Sequence, residues 1–393
     1  MSQDMPQPPL ESPVVSSTAA AERLPKRDYI ILPLISLLTI LVTFVVSEVS
    51  TRIFWPARPE DSCLVLDPVM GNRHRPNCTA RSKIAEGPWT TSIYNECGYL
   101  SANSCKTRAA GAVRIVILGS SIGMGTRVPY EQTFFALASS RLSRMCNRTI
   151  DVQNLSVEGL STIFCLRRLK EAIELKPDVV LFILCPGDFA EGIYPQAVAE
   201  RINPTANPPR MPVKQIVLTR LKRMSLESRS VLVAQHFLLQ NKDVLVRLHL
   251  AYGDKIEQPR APGWQQHFAD FDHMVGDMAG QLRSAGVPLI LVSVPSRPQA
   301  AMLGSRQLPP YVDPFAFGHE IDAIAARHGA GYVDISEVFG HIPDPENLFY
   351  VVDGHPTADG QKVIAQYIEQ KLQDGSVAAF SHCALPQNTE RGN

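Results

Sequence analysis

The sequence predicts a three-layer α/β/α sandwich on a parallel sheet, preceded by one N-terminal transmembrane helix. Three observations predict it. Strand-like and helix-like segments alternate over residues 112–373. One long apolar stretch, Tyr29–Val46, carries no charge. The segment between the two is loop-like, rich in Pro, Asn and Ser, and holds four of the eight cysteines.

In chain order, residues 1–28 read as a disordered cytoplasmic tail. They carry Pro6, Pro8, Pro9, Pro13 and Pro25 and nothing that would bury a core. Residues 29–49 make about 21 residues of helix, roughly 30 Å, which matches the hydrocarbon core of a bilayer. Pro33 falls near the start, where it costs little. Arg23, Lys26 and Arg27 precede the span, so the N-terminus is expected in the cytoplasm and the rest exported to the periplasm or the cell exterior. Tyr29, Phe54 and Trp55 are placed as interfacial anchors. The apolar span is long for a signal peptide, and Ser47-Glu48-Val49-Ser50 is a poor cleavage site, so an uncleaved anchor is expected.

Residues 50–111 are expected to be an exported, loop-rich segment stapled by Cys63–Cys78 and Cys97–Cys105. A third bridge, Cys146–Cys383, would tie down the C-terminal tail, 374–393. Cys165 and Cys185 lie within core elements and read as buried thiols.

The domain at 112–373 opens with Val113–Leu118, a short apolar run of the kind buried on both faces of a parallel sheet. Further strands are expected at Asp151–Leu155, Val179–Leu184, Pro288–Val294 and Gly331–Ile335. Helices are expected at Glu131–Met145, Thr162–Leu175 and Thr357–Leu372. A helical insertion at about 195–285 interrupts the alternation, with helices near 213–225 and 229–250. Its Lys214, Arg220, Lys222, Arg223 and Arg229 make the first part basic. Ligands of such sheets bind beyond the carboxyl ends of the strands. Functional residues are therefore expected just after 118, 155, 184, 294 and 335.

Charge excludes some functions. Lys+Arg and Asp+Glu are both 38, so the net charge is zero, which argues against a nucleic-acid binder. Apolar residues at 45% and charged residues at 19% exclude a disordered or polytopic chain. No metal pattern such as Cys-x-x-Cys appears, and His267, Asp270 and His273 read as a solvated helix face.

The first strand ends in Gly119-Ser120-Ser121-Ile122-Gly123. A serine on a strand-to-helix turn is exposed, and its N–H can face a substrate oxyanion. No P-loop Lys-Ser/Thr and no dinucleotide glycine spacing accompany it. Asp353-Gly354-His355 lies just before the last helix and would supply a base and its orienting carboxylate. The Gly-x-Ser-x-Gly spacing also fits an α/β-hydrolase elbow. That nucleophile follows several strands, however, and no convincing sheet precedes residue 112.

These blocks resemble the SGNH (GDSL-type) hydrolases, in particular membrane-anchored bacterial members, over roughly residues 90–372. Gly119-Ser120-Ser121 looks like the Gly-Asp-Ser block, with Ser120 in place of the Asp, and makes Ser121 the nucleophile. Asn154-Leu155-Ser156-Val157-Glu158-Gly159 resembles the second block, whose glycine N–H, Gly159, joins the oxyanion hole. Asp353 and His355 resemble the last block, one residue shorter than the common Asp-x-x-His. Asn95-Glu96-Cys97-Gly98-Tyr99 resembles a segment of anchored members. In Cys185-Pro186-Gly187-Asp188, Gly187 stands where the family places an oxyanion-hole Asn.

The resemblance implies a flavodoxin-like sheet, no cofactor, and a Ser121–His355–Asp353 esterase. Its oxyanion hole would be built from Ser121, Gly159 and the Gly187 position. The resemblance implies an acyl ester, O-acetyl or short-chain, and the expected location outside the membrane suggests that it is carried on an envelope glycan or lipid. Two other functions fit the same residues. One is an O-acyltransferase fed by a partner membrane protein. The other is a catalytically weakened envelope scaffold, which Gly187 motivates.

Overall fold

The computed structural model describes residues 25, 27–67, 70–159, 162–190, 228–253, 263–305 and 308–383. The chain divides into two units, Met1–Ser50 and Thr51–Asn393. The first contains most of helix α1, Asp28–Phe54, which is long and apolar enough to cross a membrane. The helix starts earlier and ends later than the expected 29–49, so Pro33 lies inside it. None of its side chains is buried.

The second unit opens with five short strands that the sequence did not announce. Strands β1 (Arg58–Asp61), β4 (Thr79–Lys83) and β5 (Trp89–Ile93) form an antiparallel sheet in the order β1-β4-β5. Strands β2 (Leu64–Asp67) and β3 (Gly71–His74) form a hairpin. These strands lie within the segment 50–111 expected to be loop-rich, most of which remains outside regular elements. Strands of four or five residues such as Gly71-Asn72-Arg73-His74 show no apolar alternation. Cys63–Cys78 and Cys97–Cys105 staple this segment, as paired from sequence.

The main sheet is built from β6 (Val113–Gly119), β7 (Ile150–Asn154), β8 (Val179–Leu184), β9 (Leu289–Ser293) and β10 (Gly331–Asp334). Its order is β10-β9-β8-β6-β7 and every pairing is parallel. In sequence order of the five strands this is 2-1-3-4-5, the flavodoxin-like arrangement. Residues alternate between the two faces. Val116, Leu118, Val180, Phe182 and Leu291 bury toward one helical layer, and Ile115, Ile117, Leu181, Ile183 and Val292 toward the other.

The first layer holds α4 (Thr162–Arg167), α5 (Leu169–Glu174), α9 (Trp264–Ser284) and α11 (Ala316–His328). The second holds α2 (Ser121–Met124), α3 (Phe134–Cys146), α10 (Arg297–Leu303), α12 (Ile335–Phe339) and α13 (Ala358–Leu372). Between β8 and α9 lie α6 (Gly187–Ala190), α7 (Arg229–Leu239) and α8 (Lys242–Tyr252).

Several boundaries differ from expectation for local reasons. The helix expected from Glu131 starts at Phe134, because the Thr133 side chain caps it by accepting from the Ala136 N–H. The expected helix 162–175 breaks at Arg168, whose buried guanidinium is drawn to the Leu155 carbonyl and Glu171. The helix expected at 229–250 is two helices, because Asn241 caps α8 through Val244 N–H. The expected helix near 213–225, with Lys214, Arg220, Lys222 and Arg223, lies outside the described residues.

The last part of the expected insertion is core. Phe268, Phe271, Val275, Met278 and Leu282 of α9 are buried against the sheet. His267 on that helix is half-buried with its Nδ1 unpaired, while His273 is exposed. Cys146–Cys383 closes the third bridge, and Val377 and Phe380 of the expected tail pack into the core before it. Cys165 and Cys185 are free thiols.

Candidate active site

The site gathers at the carboxyl ends of β6, β7 and β8. The strand order reverses between β6 and β8, the switch point at which open α/β sheets leave a crevice. Gly119 ends β6. A Cβ there would lie 2.8 Å from the Ile183 carbonyl oxygen, so only glycine lets β6 turn this close to β8. Ser121 then opens α2. The Asn154 side chain fixes this turn, donating to the Gly123 carbonyl at 2.9 Å and accepting from the Ser156 N–H at 3.0 Å.

Asp353 and His355 arrive from a tight turn between β10 and α13. Tyr350 N–H donates to the His355 carbonyl and Gly354 N–H to the Tyr350 carbonyl. Gly354 takes φ +77°, which brings two residues separated by one position onto the same side. His355 Nδ1 lies 2.6 Å from Asp353 Oδ1, and His355 Nε2 lies 2.8 Å from Ser121 Oγ. With Asp353 ionised, Nδ1–H donates to the carboxylate and Nε2 is left to accept from the serine hydroxyl.

Burial acts to raise the Asp353 carboxyl, but the His355 ring and Arg127 outweigh it and hold it below the usual carboxylate range. Arg127 Nε donates to Asp353 Oδ2 at 3.1 Å, and its Nη2 reaches Glu158 Oε1 at 2.5 Å. The guanidinium therefore joins the carboxylate of the Asp-His pair to the loop that carries Gly159.

Two further groups hold the turn. Glu86, on the tip between β4 and β5, accepts from the N–H groups of Val352 and Asp353, both at 2.9 Å. It also meets His236 Nδ1 at 2.6 Å. Buried Arg297 donates to the carbonyls of Val351 and Leu239, both at 3.0 Å. None of Arg127, Glu86 and Arg297 belongs to a block recognisable in the sequence. The one available signal was Arg127, a lone charge following a glycine-rich turn.

Gly159 follows β7 at φ +69°, and Gly187 opens α6 after β8. The structure thus brings Ser121, His355 and Asp353 into hydrogen-bond contact. It places Gly159 and Gly187 on the turns after the two strands that flank β6. A Cβ on Gly187 would meet only the Cys185 sulfur, at 3.7 Å. Asp188 is half-buried, hydrogen-bonded by Ser120 and by the Cys185 N–H at 2.8 Å, and desolvation raises its carboxyl. Burial also pushes the Cys185 thiol well above its ordinary range.

The strand order and the placement of the blocks are those that the sequence resemblance implies. The main sheet is flavodoxin-like. The chain is similar to the solved structure of TesA, at 18% identity over 66% of this chain and 98% of that one, with a TM-score of 0.37. It is similar to the psychrotrophic esterase EstA from Pseudoalteromonas sp., at 13% identity over 66% and 96%, with a TM-score of 0.36. It is also similar to a lipase/acylhydrolase from Enterococcus faecalis, at 14% identity over 66% and 95%, with a TM-score of 0.39. No family model matches the chain, and no curated protein matches it.

Proposed function

We propose that this chain is a membrane-anchored serine ester hydrolase whose catalytic domain is exported. The observation that carries the reading is the continuous hydrogen-bond chain Ser121–His355–Asp353 at 2.8 and 2.6 Å. Ser121 Oγ attacks the ester carbonyl while His355 Nε2 takes its proton. Asp353 holds the ring and stabilises the imidazolium. The N–H groups of Ser121 and Gly159 receive the developing oxyanion. Collapse expels the alcohol, which takes the proton from His355, and water then repeats the sequence on the acyl-Ser121 ester. The apolar α1 and the cations before it support an anchor with the domain outside, where acyl esters of envelope glycans or lipids are available.

Gly187 favours a second reading, a catalytically weakened scaffold. With glycine there, the side-chain donor of the oxyanion hole is missing, and loss of one such donor costs about 10²–10³ in rate. A transfer of the same acyl group to a sugar hydroxyl instead of water is separated from hydrolysis by adding glycan acceptors.

The test is turnover of p-nitrophenyl acetate by the full chain in nanodiscs, made under oxidising conditions. Ser121→Ala is expected to lower kcat/KM about 10³-fold or more. Equal rates for the two folded proteins would sink the esterase reading and leave the scaffold.

A further inference from the structure

The outer face of the β4–β5 sheet carries a site the triad does not use. Strand β5 alternates. Thr90 and Ser92 point to an inner cavity, where Thr90 donates to the Ser82 carbonyl at 3.1 Å. Trp89, Thr91 and Ile93 point the other way, into a cleft of about 850 Å³ closed by the 101–104 and 129–131 loops. None of Ser121, Asp353 and His355 lines it. Its volume is in the upper part of the range for small-molecule sites, about 300–1,000 Å³.

The lining selects a ligand class. The side chains of Asn77, Thr79, Thr91 and Asn103 face this cleft and hydrogen-bond to no other described residue. Hydroxyls and amides both donate and accept, as sugar hydroxyls do. Trp89 remains 38% exposed, and Arg81 sits over its ring at 4.6 Å from the centroid, which fixes the indole as a platform. Arg81, exposed opposite Thr91 on the same sheet face, is stacked on the Trp89 ring, and the lining carboxylates Glu96 and Glu131 outweigh its charge, so the cleft offers no net positive charge to a phosphate or carboxylate. Of its two carboxylates, Glu96 is already engaged by Ser104 and the Lys106 N–H, and Glu131 is exposed. The cleft is half open, which suits a chain of rings better than an acyl tail.

We propose that this cleft is a binding site for a neutral oligosaccharide, separate from the Ser121 site. A polymer held here stays near the enzyme between turnovers, which raises the effective concentration of its esters. The site does not depend on Ser121.

The test is calorimetric titration of the full chain in nanodiscs with chitotetraose and with cellotetraose. Saturable binding of at least one is expected, with a Kd of about 1 mM or tighter. It should be equal in wild type and Ser121→Ala. Trp89→Ala and Thr91→Arg should each weaken it about tenfold or more, with the rate on p-nitrophenyl acetate unchanged. Thr91→Arg guards against a folding defect, since it fills the cleft from an exposed position. Absence of saturable binding for both glycans up to about 10 mM would overturn the proposal. So would binding that neither substitution weakens. Binding without Ser121-dependent turnover would leave the cleft standing and remove only the esterase reading.

Discussion

Arg127 takes φ +74° to bring its guanidinium between Asp353 and Glu158. The Asp353 carboxyl is depressed, so its contribution to stability is present above the unfolded value, about 3.9, and is lost as pH falls through the lower folded value. Arg127→Gln removes one of the groups that depress it. The variant should be less stable by about 1–3 kcal/mol near neutral pH, with the gap closing below about pH 4. Urea unfolding of both proteins across that range measures it. An equal gap at every pH would mean that Arg127 acts through packing alone. Gly187 is the other decisive residue. Its Cβ position is open, so Gly187→Asn should be tolerated. It should raise kcat on p-nitrophenyl acetate, by about 10²–10³ at most, with KM little changed. No gain would place the oxyanion beyond reach of that turn.

The turn Tyr350–His355 is the element on which the site depends, and its geometry is imposed from outside itself. Glu86 comes from a hairpin tip more than two hundred residues earlier and satisfies two of its N–H groups, while Arg297 satisfies a carbonyl. Glu86→Gln keeps one acceptor oxygen but sets an amide donor against an N–H. We expect kcat to fall about tenfold with KM little changed, because a small displacement of Asp353 and His355 is felt mainly in the transition state. A change in KM alone would show that the tip shapes substrate access instead. The elements differ in how legible they were. Val113–Leu118 and Val179–Leu184 are buried on both faces, so each reads as an unbroken apolar run. Strands β1–β5 are short, and β2–β5 are half-exposed and carry residues such as Arg81 and Lys83, so no period marks them.

At the scale of the whole molecule, the parallel sheet brings residue 121 beside residue 355, and Cys146–Cys383 closes a separation of 237 residues over the same domain. A bridge that long restricts the unfolded chain strongly. Cys383→Ser should lower stability by about 3–5 kcal/mol while p-nitrophenyl acetate turnover at 25 °C persists. Denaturant unfolding of the oxidised proteins decides this. A negligible loss would mean that the unfolded ensemble is already compact near that end.

The sequence by itself pointed to the apolar N-terminal helix, the five-stranded α/β order, the three cysteine pairs and the candidate triad. Each of these is written in local signals: an uncharged apolar span, contiguous apolar runs, cysteines placed close together or at the two ends of the domain, and short blocks around Ser121, Gly159 and His355. Only the tertiary structure decided what surrounds them. Arg127, Glu86 and Arg297 act on the Asp353 turn across large sequence separations, and a single charged residue carries no mark of its distant partner. The cleft beside Trp89 is likewise a product of assembly. Its walls come from β4, β5 and two loops, and a strand's alternation becomes a binding face only when its neighbours leave that side open.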